Sequence, residues 1–167
     1  MEDRTVNLLG ALALAISDRI EFSVSAVPGR AGAATAALTT VLAEPGITVR
    51  ELAMAVGISS SGTVRLLDHL AADGLVQRRR ELGGRTVAIH LSSAGQAAAR
   101  RALAARQRAV EDALAVLPAD EQDLLAGFAA KMLVALTDDE ETACRICRLC
   151  DVAACPQALC PVEQACP

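Results

Sequence analysis

Apolar positions recur at helical spacing along most of this chain. Over residues 5–27, Leu8, Leu12, Ala15, Ile16 and Phe22 follow one face, while Leu9, Leu14 and Ile20 lie on the opposite side. A helix apolar on more than one face needs cover from outside itself, which points to a subunit interface. Pro28-Gly29 ends this helix, and Glu44-Pro45-Gly46 ends a second helix over 31–43. Thr48 with Glu51 forms a capping box that opens a short helix through Val56. Gly57 supplies a turn, and Ser59 caps a helix over Ser60 to Ala72. In that helix Val64, Leu67 and Leu70 are expected to face a core, leaving Ser60, Ser61, Thr63 and Arg65 directed elsewhere. Residues 75–78 and 86–91 are strand candidates, with Glu81-Leu82-Gly83-Gly84-Arg85 as a hairpin tip. Ser92 caps a long helix to about Val116, Leu117-Pro118 breaks it, and an amphipathic helix follows over 119–136. The acidic patch Asp138-Asp139-Glu140-Glu141 then leads into a cysteine-rich segment.

Short helix, turn, capped helix, hairpin is the order of a winged helix-turn-helix, so the expected fold is mainly α with a small β hairpin. Its physics suits DNA. A helix with small polar residues at its N-terminus can enter the major groove and reach base edges. Its backbone N–H groups and cap hydroxyls can bind phosphate, and a hairpin tipped by Gly and Arg can lie along the minor groove.

Composition narrows the classes. The chain has 167 residues, 53% of them hydrophobic, with two Phe and no Trp or Tyr, so its core must be aliphatic. That excludes a β-sandwich, a collagen-like chain and a largely disordered protein. No apolar run approaches the roughly 18 residues that span a bilayer, and Met1-Glu2-Asp3-Arg4 lacks the basic start of a signal peptide. No membrane association and a cytoplasmic location are therefore expected. The net charge of −4 conceals a strong asymmetry. Residues 48–110 carry ten Arg against four acids, while residues 111–167 carry three bases against eleven acids. A basic middle between acidic flanks suggests a surface for an anionic partner. A solvated helical face accounts for Arg100 to Arg108, but not so well for Arg78-Arg79-Arg80.

The stretch I-T-V-R-E-L-A-M-A-V-G-I-S-S-S-G-T-V-R-L-L-D-H-L-A-A-D-G-L-V-Q-R-R-R, followed by G-R-T-V-A-I-H-L-S-S-A-G, resembles the MarR family of bacterial transcriptional regulators. The portions D-H-L-A-A-D-G-L-V and L-S-S-A-G are the most similar, and the order of flanking helices extends the resemblance over about residues 5–136. The resemblance implies a homodimer with intertwined first and last helices and two winged modules facing double-stranded DNA at a pseudo-palindromic operator. Such regulators typically repress neighbouring genes, and many release DNA on binding a small-molecule effector or on oxidation. By position, Ser59, Ser60, Ser61, Thr63 and Arg65 fall on the recognition helix, and Arg85 on the wing arginine that enters the minor groove. Here Glu81 to Thr86 is shorter than the family's wing and lacks the Asp that braces that arginine. With Arg78, Arg79 and Arg80, these residues form the expected DNA-binding set.

All six cysteines lie between Cys144 and Cys166, spaced C-x2-C-x2-C-x4-C-x4-C-x5-C. In a chain expected to be cytoplasmic, such clustering reads as metal or cluster ligation before disulfides. Cys147, Cys150, Cys155 and Cys160 are the expected ligands: the last three are evenly spaced, and Cys155 and Cys160 each precede a proline, as at the Cys-Pro of ferredoxins. The C-x2-C-x2-C opening favours a [4Fe–4S] cluster; a zinc site is the alternative, although such sites usually join two separate C-x2-C knuckles. A disulfide switch comes third. Similar cysteine-rich extensions are found on some MarR-like regulators.

The expected organisation is an N-terminal dimerisation helix (1–30), a winged helix-turn-helix (31–91), C-terminal dimerisation helices (92–136) and a cysteine-rich extension (137–167). The leading function is a repressor whose cluster tunes DNA binding in response to redox state, iron or a small molecule. The second reading is a repressor with a structural zinc tail that senses an apolar ligand. An enzyme comes last, since the chain has no nucleotide-binding glycine motif, no Ser–His or carboxylate-pair constellation and only two His.

Overall fold

The computed structural model describes residues 2–25, 32–80, 87–155 and 157–166. Eight α-helices and a two-stranded antiparallel hairpin are present among them. Helix α1 (Glu2–Ser25) is followed by α2 (Ala33–Ala43), α3 (Val49–Val56) and α4 (Ser60–Ala72). Strands β1 (Val76–Arg80) and β2 (Val87–Leu91) precede the long α5 (Ser93–Leu114) and α6 (Ala119–Ala135). The cysteine segment folds as α7 (Glu140–Cys147), a 3-10 turn (Gln157–Leu159) and α8 (Pro161–Ala165).

The local signals act as their chemistry requires. The Thr48 amide and hydroxyl donate to the Glu51 carboxylate at 2.8 and 2.7 Å, and the Glu51 amide donates back to the Thr48 hydroxyl at 3.3 Å. These hydrogen bonds hold the Glu51 carboxyl below the usual glutamate range. Gly57 closes α3 at φ 73°, in the left-handed region that glycine enters without a Cβ clash. Ser59 then accepts the Gly62 amide at 3.2 Å to open α4. Ser92 does the same for α5, accepting from Gly95 at 3.0 Å while donating to the Gly74 carbonyl at 2.6 Å. One serine thus ties the start of α5 to the end of the turn after α4.

The hairpin pairs Val76 with Leu91, Arg78 with Ile89 and Arg80 with Val87. A bridge from Thr48 to Ala88 adds the segment before α3 to the same sheet. The core collects Leu38, Val41, Leu52, Leu67, Leu70, Val76 and Ile89 around the alanine faces of α2 and α5. Two expectations are corrected here. Val64 is 41% exposed, whereas Thr63 is fully buried, with its hydroxyl donating to the Ser59 carbonyl at 3.1 Å. The seam of α4 therefore runs Thr63–Leu67–Leu70, because a β-branched threonine fills the core once its hydroxyl bonds the preceding turn. Strand β1 also extends to Arg80 rather than stopping at Arg78.

Much apolar surface stays open on the single chain. Leu8, Leu9, Leu12, Leu14 and Phe22 of α1 are exposed, as are Leu124, Phe128 and Val134 of α6. None of the α6 side chains is buried in the single chain.

A tight junction between the hairpin and α5 provides a stability test. A Cβ at Gly95 would collide with the Leu75 carbonyl oxygen, which already accepts the Ser92 amide at 3.0 Å. Because the clash is with backbone, Gly95→Ala should destabilise the fold by about 1–3 kcal/mol, and Ser92→Ala by about 1 kcal/mol through the lost cap. Thermal melts followed by circular dichroism check both; an unchanged Tm for Gly95→Ala would contradict this account.

Candidate nucleic-acid interface and thiol cluster

The N-terminal end of α4 presents Ser59, Ser60, Ser61 and Arg65 to solvent, with Val64 beside them. Ser59 and Ser61 hydroxyls lie 3.2 Å apart. The burial of Thr63 removes its side chain from that surface and corrects its expected place in the DNA-binding set. Arg78, Arg79 and Arg80 are all exposed on β1. Arg78, however, reaches back to the helix: its guanidinium meets the Asp68 carboxylate at 2.7 Å and donates to the Val64 carbonyl at 3.2 Å. It acts as a strut between hairpin and α4. Arg79 donates to Gln77 at 3.1 Å, and Arg80 ends the strand. Arg85 and the expected hairpin tip, residues 81–86, lie outside the described residues, as does Pro28-Gly29.

The cysteine segment is built onto this module. Asp139, one of the acidic residues before the cysteines, caps α7 by accepting the Thr142 amide at 2.7 Å. Helix α7 packs against α3, and the Arg145 methylenes come to 3.3 Å from where a Gly57 Cβ would stand. A guanidinium stem thus covers the glycine that makes the helix-turn-helix turn. One turn later the Arg148 carbonyl accepts from the buried Thr39 hydroxyl of α2 at 2.6 Å. Helix α8 touches both α6 and α7. Sequence reasoning missed Thr39, Arg145 and Arg148; the pairing of basic residues with Cys144 and Cys147 was visible, but their partners were more than 80 residues away.

The thiols divide into two groups. Cys147 donates its S–H to Cys150, whose thiol is pulled down to about 6 by that hydrogen bond, with Arg106 helping. The same bond pushes Cys147 well above the ordinary thiol range. Burial raises Cys155, and its hydrogen bond to Cys160 adds to the effect. Cys160 also interacts electrostatically with Cys147, and Cys150 with Cys155, so the four expected ligands share one neighbourhood. Cys144 stands apart: burial raises it first, followed by the fields of Glu140, Cys166, Glu44 and Glu163. A cavity of about 600 Å³ between α2, α3 and the segment is lined by Thr39, Glu44, Met54, Cys144, Cys147 and Cys166, among others. Four soft donors fit the chemistry of iron or zinc. As the side chains stand, no three His, Cys, Asp or Glu groups among the described residues are close enough together to hold a metal ion. Joining the two thiol pairs on one centre therefore requires them to come closer together.

Residues 29–85 match the model of the MarR family. The uncharacterized HTH-type transcriptional regulator YwhA of Bacillus subtilis (strain 168) is 31% identical over 86 residues, or 51% of this chain and 62% of that protein. The chain thus matches less than two thirds of the length of that curated relative. MepR, a transcription regulator of the Staphylococcus aureus multidrug efflux pump MepA, is similar in fold with a TM-score of 0.67 at 17% identity, over 77% of this chain and 96% of that one. The Mycobacterium tuberculosis MarR family protein Rv2887, in complex with DNA, gives 0.62 at 22% identity, over 75% of this chain and 94% of that one.

Thiol reactivity should follow the geometry. In reduced, metal-free protein the Cys150 thiolate forms as pH rises through about 6, whereas Cys144, Cys147 and Cys155 hold their protons to higher pH. Limited iodoacetamide labelling at neutral pH, read by peptide mass spectrometry, should mark Cys150 before Cys144 and Cys147. Cys147→Ala removes the donor and should slow labelling at Cys150; equal labelling rates at all three would contradict the paired arrangement.

Proposed function

We propose, for a chain that carries a MarR family domain, that it is a homodimeric DNA-binding transcriptional repressor whose C-terminal thiol centre adjusts DNA binding. The observation that carries this reading is the docking of the cysteine segment on the helix-turn-helix, with Arg145 over Gly57 and the Arg148 carbonyl on Thr39. A segment seated on the turn between α3 and α4 changes the module's support whenever its own fold loosens. The exposed serines and Arg65 of α4, the arginines of β1, and a structural relative in complex with DNA support the nucleic-acid half of the reading. The open apolar faces of α1 and α6 support dimerisation, since one chain leaves them in water. Among the described residues, no helix is long and apolar enough to cross a membrane.

Cys147, Cys150, Cys155 and Cys160 would hold a [4Fe–4S] cluster, with zinc as the alternative occupant. When bound, such a cluster would supply a redox-labile crosslink between the end of α7 and the 3-10 turn. The chain's own residues do the rest. Asp139 and Thr142 start α7, Arg145 and Arg148 seat it on α3 and α2, and α8 closes over it against α6. Without such a crosslink, the segment would be held by Arg145, Arg148 and the contacts of α8 alone. The second reading keeps the same docking with structural zinc and places the signal in an apolar small-molecule effector.

Three outcomes are expected. Anaerobically purified protein should be brown, with iron and sulfide present and absorption near ~400 nm from thiolate-to-iron charge transfer. Serine at any of the four positions should abolish the colour, whereas Cys144→Ser and Cys166→Ser should keep it; colourless protein with one zinc per chain would replace the cluster by zinc. In titrations against DNA selected from a random pool, Arg65→Ala and Arg85→Ala should each weaken binding. Arg85→Ala should also lower the salt slope by about one if that arginine meets phosphate. Unchanged affinity of both variants would remove these residues from the interface. Sedimentation should give a dimer, with Leu12→Asp causing misfolding or dissociation; a well-folded monomer of the unaltered protein would overturn the assembly.

A further inference from the structure

The exposed face of α4 carries an apolar residue that the amphipathic pattern assigned to the core. Ser61, Val64, Arg65 and Asp68 are spaced i, i+3, i+4 and i+7, and all four are exposed. Thr63, Leu67 and Leu70 fill the opposite, buried side. Val64 is thus a lone aliphatic side chain, 41% exposed, on an otherwise polar stripe. Its position is also held from the hairpin. Arg78 donates to the Val64 carbonyl at 3.2 Å and pairs with Asp68 one turn on at 2.7 Å, fixing this stretch of α4 to the hairpin. A β-branched residue in a helix has one strongly preferred χ1 rotamer, so its two methyl groups are presented in a set direction.

Polar side chains on such a stripe can read donors and acceptors of base edges. An aliphatic one has a single partner on the floor of the major groove, the C5-methyl of thymine. We propose that Val64 is a specificity residue that packs on a thymine methyl in each half-site, with Ser61 and Arg65 supplying polar and phosphate contacts beside it. This rests on the reading of α4 as the DNA-contacting helix, and it adds a base class to that reading.

The test uses the full-length dimer and DNA selected by it from a random pool. Each thymine of the selected site is replaced singly by deoxyuridine, which removes only the methyl group. With unaltered protein, one symmetry-related thymine per half-site should lose affinity about fourfold on replacement, the value of one buried methyl-sized group. The Val64→Ser variant keeps a similar helix propensity and alters an exposed position, so circular dichroism should show it folded. It should bind uracil and thymine equally at that position, while keeping the wild-type response at every other thymine. The same uracil profile in Val64→Ser as in the unaltered protein, or no methyl sensitivity at any thymine, would overturn the assignment while leaving DNA binding intact. Absence of binding to any DNA would overturn the reading of α4 and this proposal together.

Discussion

Contact of α2 with α5 through alanine is the constraint on which the other elements depend. Ala34, Ala36 and Ala37 of α2 and Ala98, Ala99, Ala102, Ala105 and Ala109 of α5 are buried. Small side chains allow helix axes to near the lower end of the usual 8–10 Å range, but each buries little apolar area. The missing area is recovered at the edges of this pair. Leu67 and Leu70 of α4 and Val76 and Ile89 of the hairpin close one side. Backbone lies close to backbone where Gly95 crosses Leu75, leaving no room for a Cβ there.

The same pair of helices is the platform for the cysteine segment. Thr39, buried among the alanines of α2, reaches the Arg148 carbonyl with its hydroxyl as well as the Thr35 and Ala36 carbonyls of its own helix. Arg106 of α5 acts electrostatically on Cys150 from the other side. The thiol pairs therefore sit against the support of the helix-turn-helix, and Arg106 adds to the hydrogen bond that separates Cys150 from Cys147. Seated there, the segment lays the Arg145 side chain beside the turn at Gly57.

Much of the fold was legible because its boundaries are chemically marked. The helix caps made by Thr48 with Glu51, Gly57, Ser59 and Ser92 each span no more than four residues, so local spacing suffices to read them. The helix-turn-helix and hairpin follow from that punctuation. The extent of β1 and the fold of the cysteine segment were less legible. Arg79 and Arg80 join the strand because β2 offers partners, and α7 forms on an acidic patch whose Asp139 serves as a cap. In the site, the serines and Arg65 stand exposed as the motif implies, whereas Thr63 does not. Hydropathy ranks valine above threonine for burial, but Thr63 has an acceptor for its hydroxyl one turn back and fits the seam.

By itself the sequence determined where α3 and α4 start and stop and where α5 starts, the charge division between a basic middle and an acidic end, and the crowding of six thiols into the last part of the chain. These depend on interactions between near neighbours, and near neighbours are written side by side. Only the tertiary structure decided that Arg78 braces α4 through Asp68, that Val64 faces out and Thr63 in, and that Arg145 and Arg148 rest on Gly57 and Thr39. Those outcomes depend on which helix face meets another element and at what rotation. A turn of about 100° per residue in α4 exchanges adjacent positions between core and surface, and packing against distant residues selects the rotation.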